Sequence, residues 1–397
     1  MNVLSNRVLE MKESATLAMA RKSRELKENG VDIINLSLGE PDFDTPDNIK
    51  NADKKALDAG DTKYTPVAGT KALREAICRK FKRENNLDYT PEQIVVSNGA
   101  KQSIANACLA LLNPGDEMIV PSPYWISYAA IGELAQAKVI EVYAGVEENF
   151  KPTAEKIEKF ITDKTKVILY SSPCNPTGAV FHPHELKAIA QMLLKYPNIH
   201  VISDEIYEHI NYMGDYCSIA QYPEIRDRVV VVNGFSKAYA MTGWRLGYLA
   251  ATKEIASACD KIQGQITSGA CSFNQTAAIE ALDGSQDMVH TMIDAFKSRR
   301  ELVLRRLTEI KGAKCPQPDG AFYVFPDIRY YFGKSYLHYT IGDSEDLALY
   351  LLEEAHVATV GGKSFGDANC IRISFAASEE MINKAFDRIK EALEKLK

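Results

Sequence analysis

No stretch of this 397-residue chain stays apolar long enough to cross a bilayer: runs such as 107–112 and 229–232 fall far short of the roughly 20 residues a spanning helix needs. The opening stretch, MNVLSNRVLEMKESATLAMARKSREL, mixes acids with its bases and has no apolar centre, so it does not read as a secretory leader. No block of Lys or Arg stands out and the formal net charge is -6, which argues against a nucleic-acid partner. The 8 cysteines, Cys78, Cys108, Cys174, Cys217, Cys259, Cys271, Cys315 and Cys370, include no C-x-x-C pair. They read as reduced, mostly buried thiols, and no metal site is expected. Internal repeats and low-complexity tracts are missing too. Together these absences leave a cytoplasmic enzyme-like chain, long enough for two domains.

Several motifs fail when tested. No G-x-G-x-x-G opens a helix, so a dinucleotide fold of that type has no support. Gly362-Lys363-Ser364 looks like the end of a phosphate-binding P-loop, but the first glycine would fall on Val357. Gly234-Phe235-Ser236 looks like a nucleophile elbow, but Ala238 stands where its second glycine belongs. His182 and His184 flank a proline without a third ligand and read as a solvated turn. Cys174 reads as a small packing residue.

What is present is alternation. Strand-like runs at 94–97, 117–121, 139–142, 166–170, 200–203, 228–233 and 246–251 are separated in several places by amphipathic segments such as 101–112 and 184–194. This pattern predicts an α/β fold, a three-layer αβα unit around a mostly parallel sheet. After Gly284 the texture changes. A long helical segment over 287–311 is followed by a strand-like run at 321–325, a helix near 345–355, a strand at 371–375 and a terminal helix over 379–396. These predict a smaller α+β domain. Boundaries fall near Glu40-Pro41 and Asp283-Gly284, giving an N-terminal segment 1–44 packed partly on the small domain, a large domain 45–284 and a small domain 285–397.

The chemistry gathers at strand ends. In VVVVNGFSKAYAMTGWRLGYLA (229–250) a buried-looking strand runs into a small-residue turn that presents Ser236 and Lys237, with Arg245 eight residues beyond the lysine. A lysine after a strand is usually solvated; with a serine and an arginine at this spacing, a phosphate beside a reactive amine becomes plausible. Asn175 follows another strand end, as do Asp204 and Tyr207, and ligands of open α/β sheets gather at such edges. Ser97-Asn98-Gly99-Ala100-Lys101 turns a strand into a helix, offering free amides and a positive dipole end to a phosphate. Arg372 lies in the apolar run IRISF, where an unpaired charge is costly, so a carboxylate partner is expected.

These residues sit within a longer series of motifs: SLGEPDFDTP at 37–46, KYTPVAGTKALREAI at 63–77, NGAKQSI, PYWISY at 123–128, SPCNPTG, SDEIYEH, SKAYAMTGWRLGY, DGAFYVFP at 319–326 and IRISFA at 371–376. In that order the chain resembles the class I aminotransferases of fold type I, and is similar to the bacterial aspartate aminotransferases and their aromatic-amino-acid relatives, over nearly its whole length. The resemblance implies pyridoxal 5'-phosphate as cofactor and a homodimer with shared active sites. It implies that Lys237 carries the coenzyme covalently and then moves the proton, that Asp204 pairs with the pyridine nitrogen, and that Tyr207 and Asn175 bond the ring 3-oxygen. Ser236, Arg245 and the amides of Gly99, Ala100 and Lys101 would hold the phosphate, with Tyr64 reaching the phosphate of the neighbouring subunit. Trp125 would stack on the ring. Arg372, with Gly39 and Asn175, would grip the substrate α-carboxylate. Lys101, coming from the partner subunit beside Ser14, Ala15 and Thr16, would meet a distal carboxylate.

Two departures bear on specificity. Gly361 stands where many relatives have proline, in a loop bordering the substrate entrance. The tyrosine-rich stretch 329–342 could reshape the pocket. The expected reaction is amino transfer from an L-amino acid, aspartate foremost, to 2-oxoglutarate by a ping-pong mechanism. The alternatives are an aromatic or broad-specificity aminotransferase, a lyase or decarboxylase on the same scaffold, and a non-catalytic ligand sensor. The last generally carries a DNA-binding segment ahead of the fold, for which this sequence leaves no room.

Overall fold

The computed structural model describes residues 3–5, 8, 9, 11 and 15–397, with backbone alone for residues 15–17. Seven strands form the main sheet: Ile94–Ser97 (β1), Glu117–Ser122 (β2), Lys138–Tyr143 (β3), Thr165–Ser171 (β4), His200–Asp204 (β5), Val229–Gly234 (β6) and Gly247–Ala250 (β7). Their spatial order is β1-β7-β6-β5-β4-β2-β3. Only β7 runs antiparallel to its neighbours; the remaining pairs are parallel. All six residues of β6 are buried, as expected of a parallel strand covered on both faces. At the edge, β3 is only partly covered and leaves Lys138, Glu141 and Tyr143 exposed.

Antiparallel β7 is what brings both ends of the sheet's chemistry together. Gly247 pairs with Gly234 at the end of β6 and with Ser97 at the end of β1. The start of β7 therefore lies at the same edge where β1, β4, β5 and β6 stop. Gly247 also has to be glycine, since a Cβ there would run into the Ala100 backbone nitrogen.

In the C-terminal part, Tyr323–Val324 (β8), Val360–Gly361 (β9) and Ile371–Ser374 (β10) make an antiparallel sheet in the order β9-β10-β8. Helices Asp287–Thr308, Ser344–Glu354 and Glu379–Lys395 accompany it. The strand expected over 321–325 is shorter because Ala321 adopts a left-handed backbone, φ 54, which breaks the extended run. Ile34–Asn35 pairs in parallel with Val357–Ala358, tying the N-terminal segment to this part of the molecule. One apolar cluster joins Ile34, Leu36, Phe322, Tyr323 and Phe375 to Ile206, Tyr207 and Ile210, so hydrophobic contact continues beneath the strand edge. No described helix is long and apolar enough to cross a membrane.

Beyond Asp204 the chain turns, and its side chains part to two sides. Glu205 accepts from Ser218 Oγ (2.6 Å) and Ser203 Oγ (3.0 Å). Glu208 is bound by the amine of Lys80, which also donates to Asn85 Oδ1 (2.9 Å), while Asn85 Nδ2 donates to Glu208 (3.0 Å). Lys80 is 0% exposed, and burial lowers its pKa. Glu84, Glu208 and His209 converge as a cation site would, but the Lys80 amine already answers that charge. A buried pair is strongly destabilised when one partner is removed, by about 3–5 kcal/mol. Lys80→Met is therefore expected to lower the thermal unfolding midpoint by several degrees. Lys80→Met combined with Glu208→Leu should recover part of the loss, because the Glu208 charge goes with its partner while the buried Glu205, which Lys80 also steadies, loses its cation. A single-variant midpoint no lower than that of a surface lysine variant would contradict this account.

Candidate active site

β4, β5 and β6 lie side by side and end at one edge. With strands about 4.8 Å apart, three adjacent ends span roughly 10 Å. The turns leaving them carry Asn175, Asp204 with Tyr207, and Ser236 with Lys237. These residues line one cavity of about 320 Å³, together with Gly39, Ala100, Lys101, Trp125, Arg245 and Arg372. That volume is at the lower end of the range of small-molecule sites.

Each charged group there is poised rather than neutralised. Arg372 on β10 is 1% exposed. Its Nη1 donates to Asn175 Oδ1 (2.9 Å) and its Nη2 to the Ser37 carbonyl (2.5 Å), while Nε is buried with no partner. The guanidinium lies over the rings of Tyr323 (4.8 Å) and Phe365 (5.0 Å). No carboxylate among the described residues pairs with it, and burial pushes its pKa down. Asp204 is the converse case. Its carboxylate is 3% exposed and accepts from Tyr128 Oη (2.6 Å) and the Ile206 amide (3.2 Å). Burial raises its pKa to about 6 against those hydrogen bonds and the more distant Lys237. Lys237 donates to the Gly39 carbonyl (2.5 Å) and lies 5.7 Å from the Tyr207 ring centre. Burial lowers its pKa to about 8.

The phosphate-like corner is built from backbone. Helix Ala100–Leu111 starts after Gly99, whose φ of 85 suits glycine and whose added Cβ would meet Arg245. The Gly99 amide donates to the Ser97 carbonyl (2.8 Å), so the anion-facing amides are those of Ala100 and Lys101, in the first helical turn. Arg245 has a left-handed backbone, φ 53, at a cost of roughly 1–2 kcal/mol. Its Nη1 donates to the Thr242 carbonyl (3.0 Å) and its Nη2 to the Asn98 carbonyl (3.4 Å). The Lys101 amine lies 4.8 Å from the Trp125 ring of its own chain, and burial with Arg245 nearby lowers its pKa.

Three expected members need separate mention. Tyr64 is 100% exposed and lines a different hollow, with Thr62, Gly269 and Phe273, so one chain does not bring it to the cavity. The side chain of Thr16 lies outside the described residues. The stretch 329–342 contributes nothing to the cavity wall. Its tyrosines serve packing instead, Tyr331 donating to the Lys311 carbonyl (2.8 Å) and Tyr339 to Glu353 (2.8 Å). Gly361 is accounted for locally, since a Cβ there would lie 2.7 Å from the Glu345 carboxylate. Sequence reasoning missed Tyr128 and Tyr323. Both lie inside quoted motifs, but nothing in the sequence says that one reaches Asp204 and the other Tyr207 (Oη–Oη 2.8 Å).

The arrangement offers a depressed amine, a buried carboxylate facing an aromatic-walled space, an anion corner and a second, deeper cation. Comparison with known proteins agrees with such chemistry. The family profile for class I and II aminotransferases matches residues 31–389. An aspartate/prephenate aminotransferase of Cereibacter sphaeroides is 48% identical, covering 98% of both chains. A bifunctional aspartate and glutamate/aspartate-prephenate aminotransferase of Petunia hybrida is 47% identical over 99% of this chain and 83% of its own. Among solved structures, the aspartate aminotransferase of Rhizobium meliloti superposes with a TM-score of 0.96 at 40% identity, covering 100% of both chains. That of Thermus thermophilus with maleate gives 0.93 at 42% identity, covering 99% of this chain and 100% of its own. With the match running the length of the chain and through the strand-edge cavity, this protein belongs to the class I and II aminotransferases.

Proposed function

We propose that the protein transfers the amino group of aspartate to 2-oxoglutarate by a ping-pong mechanism, using pyridoxal 5'-phosphate held at Lys237. One observation carries the reading: among the described residues, a fully buried Arg372 without a carboxylate faces the same cavity as a buried Asp204 without a paired cation. A ligand that satisfies both presents a carboxylate at one end and a protonated nitrogen at the other. Coenzyme and substrate meet that requirement together, the coenzyme's pyridine nitrogen falling to Asp204 and its phosphate to Ala100, Lys101, Ser236 and Arg245, and the amino acid's carboxylate to Arg372. Bound there, the coenzyme supplies an aldehyde that joins the lysine amine and a ring that accepts electrons from the substrate carbon.

The chain's own residues divide the remaining work. Asp204 holds a proton on the ring nitrogen, and a cation beside it draws its pKa back down from about 6. Tyr207 and Asn175 turn hydrogen-bonding groups toward the ring oxygen, and Trp125 covers a ring face. Lys237, with a pKa of about 8, is close enough to neutral pH to take up and return the substrate proton. Arg372 receives the α-carboxylate in a planar fork, so its desolvation cost is offset only when substrate is present. Gly39 adds its backbone at the same place. The partner subunit's Lys101 meets the distal carboxylate beside Thr16. The maleate in the Thermus thermophilus structure is a four-carbon dicarboxylate, which suits a second cation. Prephenate is a second acceptor to consider, because relatives carry it in their names and it too has a second carboxylate.

We also propose a homodimer with shared sites, with Tyr64 completing the partner's phosphate corner; an aromatic side chain wholly open to water supports this. The unit 45–284 would hold the coenzyme, with the segment 1–44 packing partly on the small domain 285–397. Eight free cysteines fit a reducing cytoplasm.

Borohydride reduction of the loaded protein followed by peptide mapping is expected to mark Lys237; a mark on another lysine overturns the assignment. Lys101→Ala removes one partner of a desolvated ion pair worth roughly 2–5 kcal/mol. At about 1.4 kcal/mol per tenfold, kcat/KM for aspartate should fall by at least roughly 30-fold, with alanine, phenylalanine and tyrosine affected far less. A uniform loss across the four substrates would reassign Lys101 to the phosphate. Mixing Tyr64→Phe and Lys237→Ala proteins should restore some activity through hybrid dimers; no recovery, or a monomer in sedimentation, would contradict shared sites.

A further inference from the structure

Tyr323 stands just behind the cavity wall and touches three of the groups on it. It is fully buried on β8, and its hydroxyl lies 2.8 Å from that of Tyr207, the rings meeting edge to face at 5.9 Å. Its ring carries the Arg372 guanidinium at 4.8 Å. A Cβ at Gly39 would stand 2.6 Å from its hydroxyl oxygen, so the phenol is wedged against the residue whose carbonyl receives Lys237. The two tyrosine hydroxyls have no other hydrogen-bond partner among the described residues.

Two hydroxyls facing each other share one proton between them, and the direction matters. If Tyr207 donates to Tyr323, its proton is unavailable to the cavity. If Tyr323 donates, Tyr207 keeps a free proton and becomes a better donor, because a hydroxyl that accepts is polarised to give. Arg372 decides between them. It draws down both phenols that burial raises, but its cation sits over the ring of Tyr323, where it is the largest influence after burial, so that phenol is the more acidic of the two. We infer that Tyr323 is a positioning residue that donates to Tyr207, directs the Tyr207 proton into the cavity, and holds Arg372 on its ring. This rests on the coenzyme reading above, in which Tyr207 serves the ring oxygen. It makes one side chain the link between the residue that reads the coenzyme and the residue that reads the substrate carboxylate.

The two halves of the role separate by substitution. Tyr323→Phe removes the donor and keeps the ring; Tyr323→Leu removes both. The readout for the first is the pH midpoint of the visible absorbance of the coenzyme-loaded protein, and for the second the KM for the amino acid. Tyr207→Phe should raise the absorbance midpoint by about one unit, and Tyr323→Phe by about half a unit, the scale of one hydrogen bond and of its support. The double variant should match Tyr207→Phe alone, because Tyr323 acts only through Tyr207. Replacing Tyr323 with 3-fluorotyrosine, which keeps the shape and strengthens the donor, should move the midpoint down. Tyr323→Leu should also raise KM about tenfold, whereas Tyr323→Phe should leave it within about twofold. A midpoint unchanged in Tyr323→Phe while Tyr207→Phe shifts it, additive shifts in the double variant, or an upward shift with fluorotyrosine would each overturn the inference. If Tyr207→Phe itself leaves the midpoint in place, or the wild type shows no coenzyme absorbance, the underlying coenzyme reading fails instead.

Discussion

Neighbouring parallel strands that stop at the same edge are the constraint behind this site. Asn175, Asp204 and Lys237 are spread over more than sixty positions of sequence, yet each leaves the carboxyl end of a strand paired to the next. The spacing of a hydrogen-bonded ladder then fixes their separation without any direct contact between them. The antiparallel β7 extends the same edge to Arg245 and to the helix start at Gly99, through the pairing of Gly247 with both Gly234 and Ser97. A parallel strand in that position would have delivered Arg245 to the opposite side of the sheet.

On that edge the protein keeps charges apart that would otherwise satisfy each other. Among the described residues, Arg372 is bound by neutral oxygens alone, and Asp204 by a phenol and an amide. Burial acts on each in the same sense, toward the uncharged form: Asp204 rises, and Lys237 and Arg372 fall. Such a cavity is costly alone and favourable once a ligand brings the missing charges, which is how desolvated groups become selective for a zwitterionic or doubly charged guest.

The site is supported from behind by groups that do not enter it. The turn after β5 sends Asp204 and Tyr207 one way and Glu205 and Glu208 the other, so that Lys80 and Asn85 anchor the same few residues that face the ligand. Tyr128 and Tyr323 hold Asp204 and Tyr207 from two further elements. The rigidity of the reading groups therefore comes from buried polar contacts as much as from the sheet.

The sequence by itself determined the sheet, the strand ends and the residues that lie on them. Apolar runs bounded by turn residues mark parallel strands, and β-branched runs such as VVVV have few other places to go. It determined that Arg372 would be buried, because its neighbours are apolar, and that Gly99 would open a helix. It did not determine the length of β8, which the left-handed Ala321 cuts short, or the fate of the tyrosines at 329–342, which pack against Lys311 and Glu353 and stay away from the cavity. It gave no sign of Tyr128, Tyr323 or Lys80 either. Each of these acts through a partner between 76 and 128 positions away, and period and propensity carry no information over such separations. Only tertiary packing, which sets one chosen side chain against another, decides those pairs.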